Sequence, residues 1–167
     1  MLGEAIGGLL PSAIAVALSP VPVVGVVLVL GTPRARSSGL AFAGGWIFGL
    51  VALSALVVLI LGSGVSADTE SGIEWFKVAI GVLFLAMAAR QWRKRPRRGE
   101  VPEMPAWMES IASLTAARAA VLGAGLSGAN PKNLALTLAA SASIAEAGLT
   151  PGGTAVAIAV FVALGSL

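Results

Sequence analysis

Residues 127–133 read Ser127-Gly128-Ala129-Asn130-Pro131-Lys132-Asn133. This stretch interrupts an apolar run that begins near Ala116 and ends near Ala147. A bare backbone group or an unpaired ammonium in hydrocarbon costs roughly several kcal/mol, so a simple lipid-facing helix is disfavoured. Asn130-Pro131 is also a typical helix start, with asparagine as N-cap and proline at the first helical position. The stretch therefore predicts two half-helices that meet within a membrane, the second beginning at Pro131.

The same pattern occurs near the N-terminus, where Ser19-Pro20-Val21-Pro22 interrupts another apolar run. Pro20 and Pro131 are 111 residues apart. The same shift carries Gly39, the start of the second apolar run, onto Thr150, where a later run begins. This register predicts an internal duplication, although the side chains of the two halves barely match.

The composition is that of a membrane protein. Of the 167 residues, 57% are hydrophobic and 11% are charged, and the mean hydropathy is +0.93. A soluble domain carries about a quarter charged residues. The chain has no Cys and no His, which excludes disulfides, thiolate or imidazole chemistry and nearly every transition-metal site. We expect no enzyme, no cofactor and no metal.

Five apolar segments predict an all-α, multi-pass helical bundle. They cover about residues 5–30, 39–62, 73–92, 117–146 and 151–167. The first four reach the ~20 residues that a span requires, whereas the fifth is still apolar at its last residue. We predict a first three-helix repeat at 1–92, a basic loop with an interfacial helix at 93–116, and a second repeat at 117–167 that is truncated in the fifth helix.

The basic residues predict the orientation. Nine of the eleven Lys and Arg residues fall on one side of these segments, most of them in the Arg90–Arg98 loop. The positive-inside rule makes that loop cytoplasmic and places the N-terminus outside the plasma membrane. Because three crossings per repeat is an odd number, the second repeat is inverted relative to the first, as in many transporters.

Lys132 is the cation left within an apolar segment. One interpretation is that it attracts an anionic or polar group of a substrate, helped by the helix dipoles; the alternative is that it snorkels or pairs with a backbone carbonyl. Ser19 and Asn130 are predicted caps, and Asn133 lines a cavity or bonds to backbone. The predicted substrate path comprises Ser19, Pro20, Pro22, Asn130, Pro131, Lys132 and Asn133.

Three further predictions concern packing and anchoring. Trp107, Ile111 and Leu114 have the spacing of an apolar helical face and predict a short helix in the membrane interface. Gly45 and Gly49 form a small-xxx-small pair that predicts close helix contact. The tryptophans are predicted interfacial anchors: Trp46, Trp75 and Trp92.

A family resemblance follows from several motifs in order. They are Ala17-Leu18-Ser19-Pro20-Val21-Pro22, Pro33-Arg34-Ala35-Arg36, Gly39-Leu40-Ala41-Phe42, Gly45-Trp46, Arg90-Gln91-Trp92-Arg93-Lys94-Arg95-Pro96, Pro105-Ala106-Trp107-Met108 and Asn130-Pro131-Lys132-Asn133. From about residue 10 onwards the chain resembles the GAP family, glycolipid- or sulfolipid-addressing proteins of the lysine-exporter (LysE) superfamily. The resemblance implies six helices in two inverted halves, with the two proline motifs facing each other across a translocation path. Relative to that pattern, this chain lacks a complete fifth helix and a sixth.

The function expected is a transporter or exporter that moves a lipid-linked or small polar solute across the plasma membrane. One alternative is a non-transporting scaffold that recruits lipid-synthesis or export machinery through the basic loop; another is a LysE-like exporter of amino acids or cations. The expected partners are membrane lipids, a solute or glycolipid substrate, and a second copy or a partner chain that completes the bundle. Nucleic acid is not expected as a partner.

Overall fold

The structure is a computed structural model, and it describes residues 2–62, 78, 81–82, 85–86, 89–90, 92–93 and 114–167. Within these ranges it has six helices with defined bounds and no strand. They are α1 (Leu2–Ala17), α2 (Pro20–Leu30), α3 (Ala35–Gly62), α4 (Ala116–Gly128), α5 (Pro131–Glu146) and α6 (Pro151–Gly165). The all-helical prediction is confirmed for the described residues.

Both predicted helix breaks are present. α1 ends at Ala17 and α2 begins at Pro20, with a bend of 49° between them. α4 ends at Gly128 and α5 begins at Pro131. Proline suits a first helical position because the N–H that it lacks would have no partner within the helix. The helix end and the helix start are each displaced by the same 111 residues, so the two breaks keep the register expected of a duplication.

The two breaks are capped differently. The side chain of Asn130 accepts a hydrogen bond from the backbone N of Lys132 at 3.1 Å, as predicted. Ser19 is the N-cap residue of α2, as predicted, and has the extended backbone of that position, but its side chain makes no cap bond. A capping side chain accepts from the second or third helical N–H, and Pro22 removes the third.

α3 lies at the centre of the described bundle, where it contacts α2, α4, α5 and α6. The larger core cluster joins four helices: Leu9, Ala13 and Val16 of α1, Trp46 and Leu50 of α3, Ala140 and Ile144 of α5, and Ala157, Phe161 and Val162 of α6. Trp46 is only 7% exposed, so its prediction as an interfacial anchor is wrong. Its position on α3 faces the other helices, whereas Trp92 is 66% exposed.

Glycines bring α3 and α4 into backbone contact. A Cβ added to Gly45 would overlap the carbonyl of Ala120, and one added to Gly123 would overlap the carbonyl of Phe42. Side chains at these positions would hold the two helices apart. The close contact predicted for the Gly45 pair is confirmed, and it lies within one chain.

Two extensive helix contacts are reciprocal between the two halves. α3, the second helix after the first break, packs against α4, which precedes the second break. α6, the second helix after the second break, packs against α1, which precedes the first. Gly165 of α6 allows this second contact, because a Cβ there would lie 3.2 Å from Cγ1 of Val16. Each half is therefore interleaved with the other.

One described helix is long and apolar enough to cross a bilayer unaided, the segment Ala35–Leu61 of α3. The bent pair α1 and α2 meets the same criterion when it is counted as one span. α6 is apolar but shorter. Among the described residues, one or two candidate spans are thus present, and the multi-pass topology stays a prediction.

Several predictions fall wholly or mainly outside the described residues: the third apolar segment, the link before it, the basic loop after it, Trp75, and most of the interfacial helix. Leu114 is described. It precedes α4 and is buried in a second cluster with Val29, Phe42 and Ala119. Leu114 therefore packs against the protein, and the predicted interfacial helix stays a prediction.

Candidate functional site: a buried polar stripe on α5

Lys132 occupies the second position of α5 and is exposed. Its backbone N is used by the Asn130 cap. With 3.6 residues per turn, its side chain leaves the helix about 100° from that of Asn133. The structure thus puts the predicted key cation on the outer surface of the described bundle, and its role in binding a substrate stays a prediction.

The polar side chains that point inward are on the neighbouring face. Asn133, Thr137 and Ser141 are each 0% exposed. Their spacing of four residues keeps them on one side of the helix, and α5 packs against α1 and α3. We call these three residues the α5 polar stripe. It lies within a bundle whose other buried side chains are mainly aliphatic or aromatic.

Most of the hydrogen-bonding capacity of this stripe is unused. Nδ2 of Asn133 donates to the carbonyl of Leu126 at 3.3 Å. Oδ1 of Asn133, Oγ1 of Thr137 and Oγ of Ser141 are buried and have no partner among the described residues. A buried polar atom left without a partner costs about 1–3 kcal/mol. Such atoms are rare in native proteins and call for a functional or structural reason.

Other buried hydroxyls lie at the breaks and on α3. Ser127, in the last turn of α4, donates to the carbonyl of Ala124 at 2.8 Å, and its Oγ occupies the place of a Cβ on Gly49. Ser19 is 1% exposed and its hydroxyl has no described partner. Ser38 and Ser54 of α3 are also buried, and their hydroxyls have no described partner either.

Reasoning from the sequence found Asn133 but missed Thr137, Ser141 and Ser127. The available signal was the four-residue repeat of small polar side chains in α5. It was obscured because hydroxyl residues in an apolar helix usually bond to their own backbone, as Ser143 does to the carbonyl of Ala139 at 3.2 Å. Among the described residues, no group of three or more His, Cys, Asp or Glu side chains lies together.

The two proline motifs have different principal neighbours. α2 packs mainly on α3 and α4, whereas α5 packs mainly on α1 and α3. Pro22 and Asn133, which are 111 residues apart, are both buried, while Pro20 is exposed and Pro131 is half-buried. One pair of equivalent positions, Pro22 and Asn133, is therefore buried in both halves, and the facing arrangement of the two motifs stays a prediction.

These features define a class: an all-helical protein with a candidate membrane span, broken helices and a buried polar face. The sequence also matches the family model of Sap, the sulfolipid-1-addressing protein, over residues 9–167, and the chain belongs to this family. The predicted sulfolipid-addressing resemblance is thereby confirmed, whereas membership of the LysE superfamily stays a prediction. A comparison with curated proteins gave no match. A comparison with solved structures also gave none.

Proposed function

We propose that this protein is a multi-pass exporter of the plasma membrane that moves a lipid-linked polar group, with the α5 polar stripe as the surface that its cargo contacts. Membership of the sulfolipid-addressing family supports a lipid cargo. The observation that carries the proposal is the row of buried oxygens on Asn133, Thr137 and Ser141 that have no described partner. Hydroxyl and amide oxygens are the groups that hydrogen-bond to a sugar or another uncharged polar head.

The helix breaks support the same proposal. Irregular backbone at membrane depth is tolerated where protein or a polar cavity surrounds it, and transporters place their substrate sites beside such breaks. The break at Asn130-Pro131 lies one turn from Asn133. The 111-residue register and the reciprocal packing of the halves support two inverted repeats, a LysE-like arrangement in which the halves rock against each other. In this proposal Lys132 attracts an anionic part of the cargo near the start of α5.

The experiment compares complementation of a deletion strain by three forms of the full chain: wild type, Thr137→Val with Ser141→Ala, and Ser143→Ala. Ser143 is the matched control because its hydroxyl is already bonded within α5. Surface and cell-associated lipids are extracted separately and profiled by mass spectrometry, and the amount of each protein in the membrane is measured. We expect the deletion strain to retain a sulfated or glycosylated lipid inside, and wild type and Ser143→Ala to restore its surface fraction.

The double variant is expected to reach the membrane in normal amount and to leave the lipid inside. Full export by the double variant would reject the role of the stripe. A deletion strain in which synthesis of the lipid stops, with no retained pool, would instead favour a scaffold for lipid-synthesis machinery over an exporter.

A further inference from the structure

A groove runs along the hairpin formed by α2 and α3. Its volume is about 360 Å³, and its walls include Val23, Val26, Val27 and Leu30 of α2 and Phe42 and Ala43 of α3. The described residues that line it are otherwise apolar, except for the hydroxyl of Ser166 and the indole N–H of Trp46. α2 contributes a wall about 16 Å long, since each of its 11 residues rises about 1.5 Å. The groove thus has the elongated, apolar form that suits a hydrocarbon chain.

One end of the groove is basic. Leu30 and Gly39 lie at the hairpin end, where a Cβ on Gly39 would be 3.1 Å from Cδ2 of Leu30. Immediately beyond them, Arg34 and Arg36 line a second, shallow concavity together with Pro33, Ser37 and Leu40. The turn from residue 31 to 38 contains no acidic residue. Both arginines are exposed, and neither forms an ion pair with a described residue.

The turn that carries these arginines is ordered by its own hydrogen bonds. Oγ1 of Thr32 donates to the carbonyl of Val29 at 2.8 Å, and Oγ of Ser37 donates to the carbonyl of Arg34 at 3.2 Å. The backbone N of Gly31 closes α2 by donating to Val27 at 3.1 Å. The backbone that carries Arg34 and Arg36 is therefore held close to the hairpin end of the groove.

We infer that the α2–α3 groove and the Arg34–Arg36 corner form one binding site for an anionic lipid. An acyl chain lies along α2, and the oxyanion of the headgroup is held by the two arginines. Within a bilayer, an acyl chain gains little by exchanging lipid contacts for protein contacts, so the headgroup must supply the selectivity. Guanidinium groups suit this role because their N–H donors form paired, charge-assisted bonds with phosphate-type oxyanions. The site does not depend on transport, because a lipid can bind here whether or not it is then moved.

Binding is tested on the full chain purified in a mild detergent, by native mass spectrometry of lipids retained during titration. The probes are phosphatidylglycerol, sulfatide and phosphatidylcholine, the first and last with identical acyl chains. We expect wild type to bind each anionic lipid at least about tenfold more tightly than phosphatidylcholine, a difference of about 1.4 kcal/mol. Arg34→Gln with Arg36→Gln is expected to remove that preference.

Two matched controls separate this site from diffuse attraction to positive charge and from general packing. Arg118→Gln removes an exposed arginine beside another shallow concavity, at the start of α4. Ala43→Phe fills the groove, whereas Ala52→Phe places the same side chain on an exposed position of α3 outside the groove. We expect Arg118→Gln and Ala52→Phe to bind as wild type does, and Ala43→Phe to bind all three lipids more weakly. Helical content and unfolding temperature are recorded for every variant.

Equal binding of the three lipids by wild type would overturn the inference, as would equal losses in the Arg118 and Arg34–Arg36 variants. Unaltered binding in a folded Ala43→Phe protein would place the acyl chain elsewhere. Selective binding together with unimpaired export in the stripe variant would reject the proposed transport path while leaving this lipid site intact.

Discussion

Nδ2 of Asn133 donates a hydrogen bond to the carbonyl oxygen of Leu126 at 3.3 Å. This bond joins the first turn of α5 to the last turn of α4 across the helix break. Carbonyls in the last turn of a helix have no partner within that helix, so Asn133 satisfies one of them. Its Oδ1 has no described partner and begins the α5 polar stripe. One side chain therefore both fixes the break and contributes to the candidate site.

Replacing Asn133 by Leu should destabilise the protein by about 0.5–1.5 kcal/mol, the net worth of one hydrogen bond, because the part-buried carbonyl of Leu126 loses its donor. Denaturant unfolding in detergent measures this change. Thr137→Val is the control, since its hydroxyl has no described partner to lose and its removal should leave stability unchanged or slightly raised. Equal stability of Asn133→Leu and wild type would show that the bond does not hold the break.

The two N-cap positions should respond differently to alanine. Asn130→Ala loses a side-chain cap on α5 and should cost about 0.5–2 kcal/mol. Ser19→Ala loses no cap bond and removes a buried hydroxyl without a described partner, so we expect no loss of stability. Thermal unfolding of both variants under identical detergent conditions provides the comparison. A larger loss for Ser19→Ala than for Asn130→Ala would contradict the capping geometry.

Valine substitutions should destabilise the protein more at glycines that contact another helix than at neighbouring glycines that contact none. Gly45→Val forces α3 away from the Ala120 carbonyl, whereas a Cβ on Gly44 has nothing within 4 Å. We therefore expect Gly45→Val to lower the free energy of unfolding by about 1–3 kcal/mol more than Gly44→Val does. Gly123→Val and Gly125→Val make the same comparison on α4. The helix propensity change is common to each pair, so the difference in unfolding free energy reports the contact alone. No difference within either pair would be inconsistent with the close α3–α4 approach.

Lys132→Met tests the charge at the start of α5. We expect Lys132→Met to lower export of the lipid by about tenfold or more, and Lys132→Arg to retain it. If binding of the cargo limits export, a tenfold fall corresponds to about 1.4 kcal/mol of binding free energy. Stability should not change in either variant, because the Lys132 side chain is exposed. The Asn130 cap bonds to the backbone N of Lys132, which both substitutions keep. Export is measured as the surface fraction of the lipid at equal protein abundance. Unimpaired export by Lys132→Met would reject a role of this charge in binding the cargo. The remaining interpretation would be that the Lys132 side chain snorkels to the membrane surface.

The sequence by itself determined the helix breaks and their register, because proline and capping residues act on their own backbone within a few residues. Only the tertiary structure decided which side chains are inside. It exposes Lys132, buries Asn133 with Thr137 and Ser141, and moves Trp46 into the core. The physical reason is that burial depends on which distant helices pack together, and here backbone contact at glycines such as Gly45 and Gly123 sets that packing.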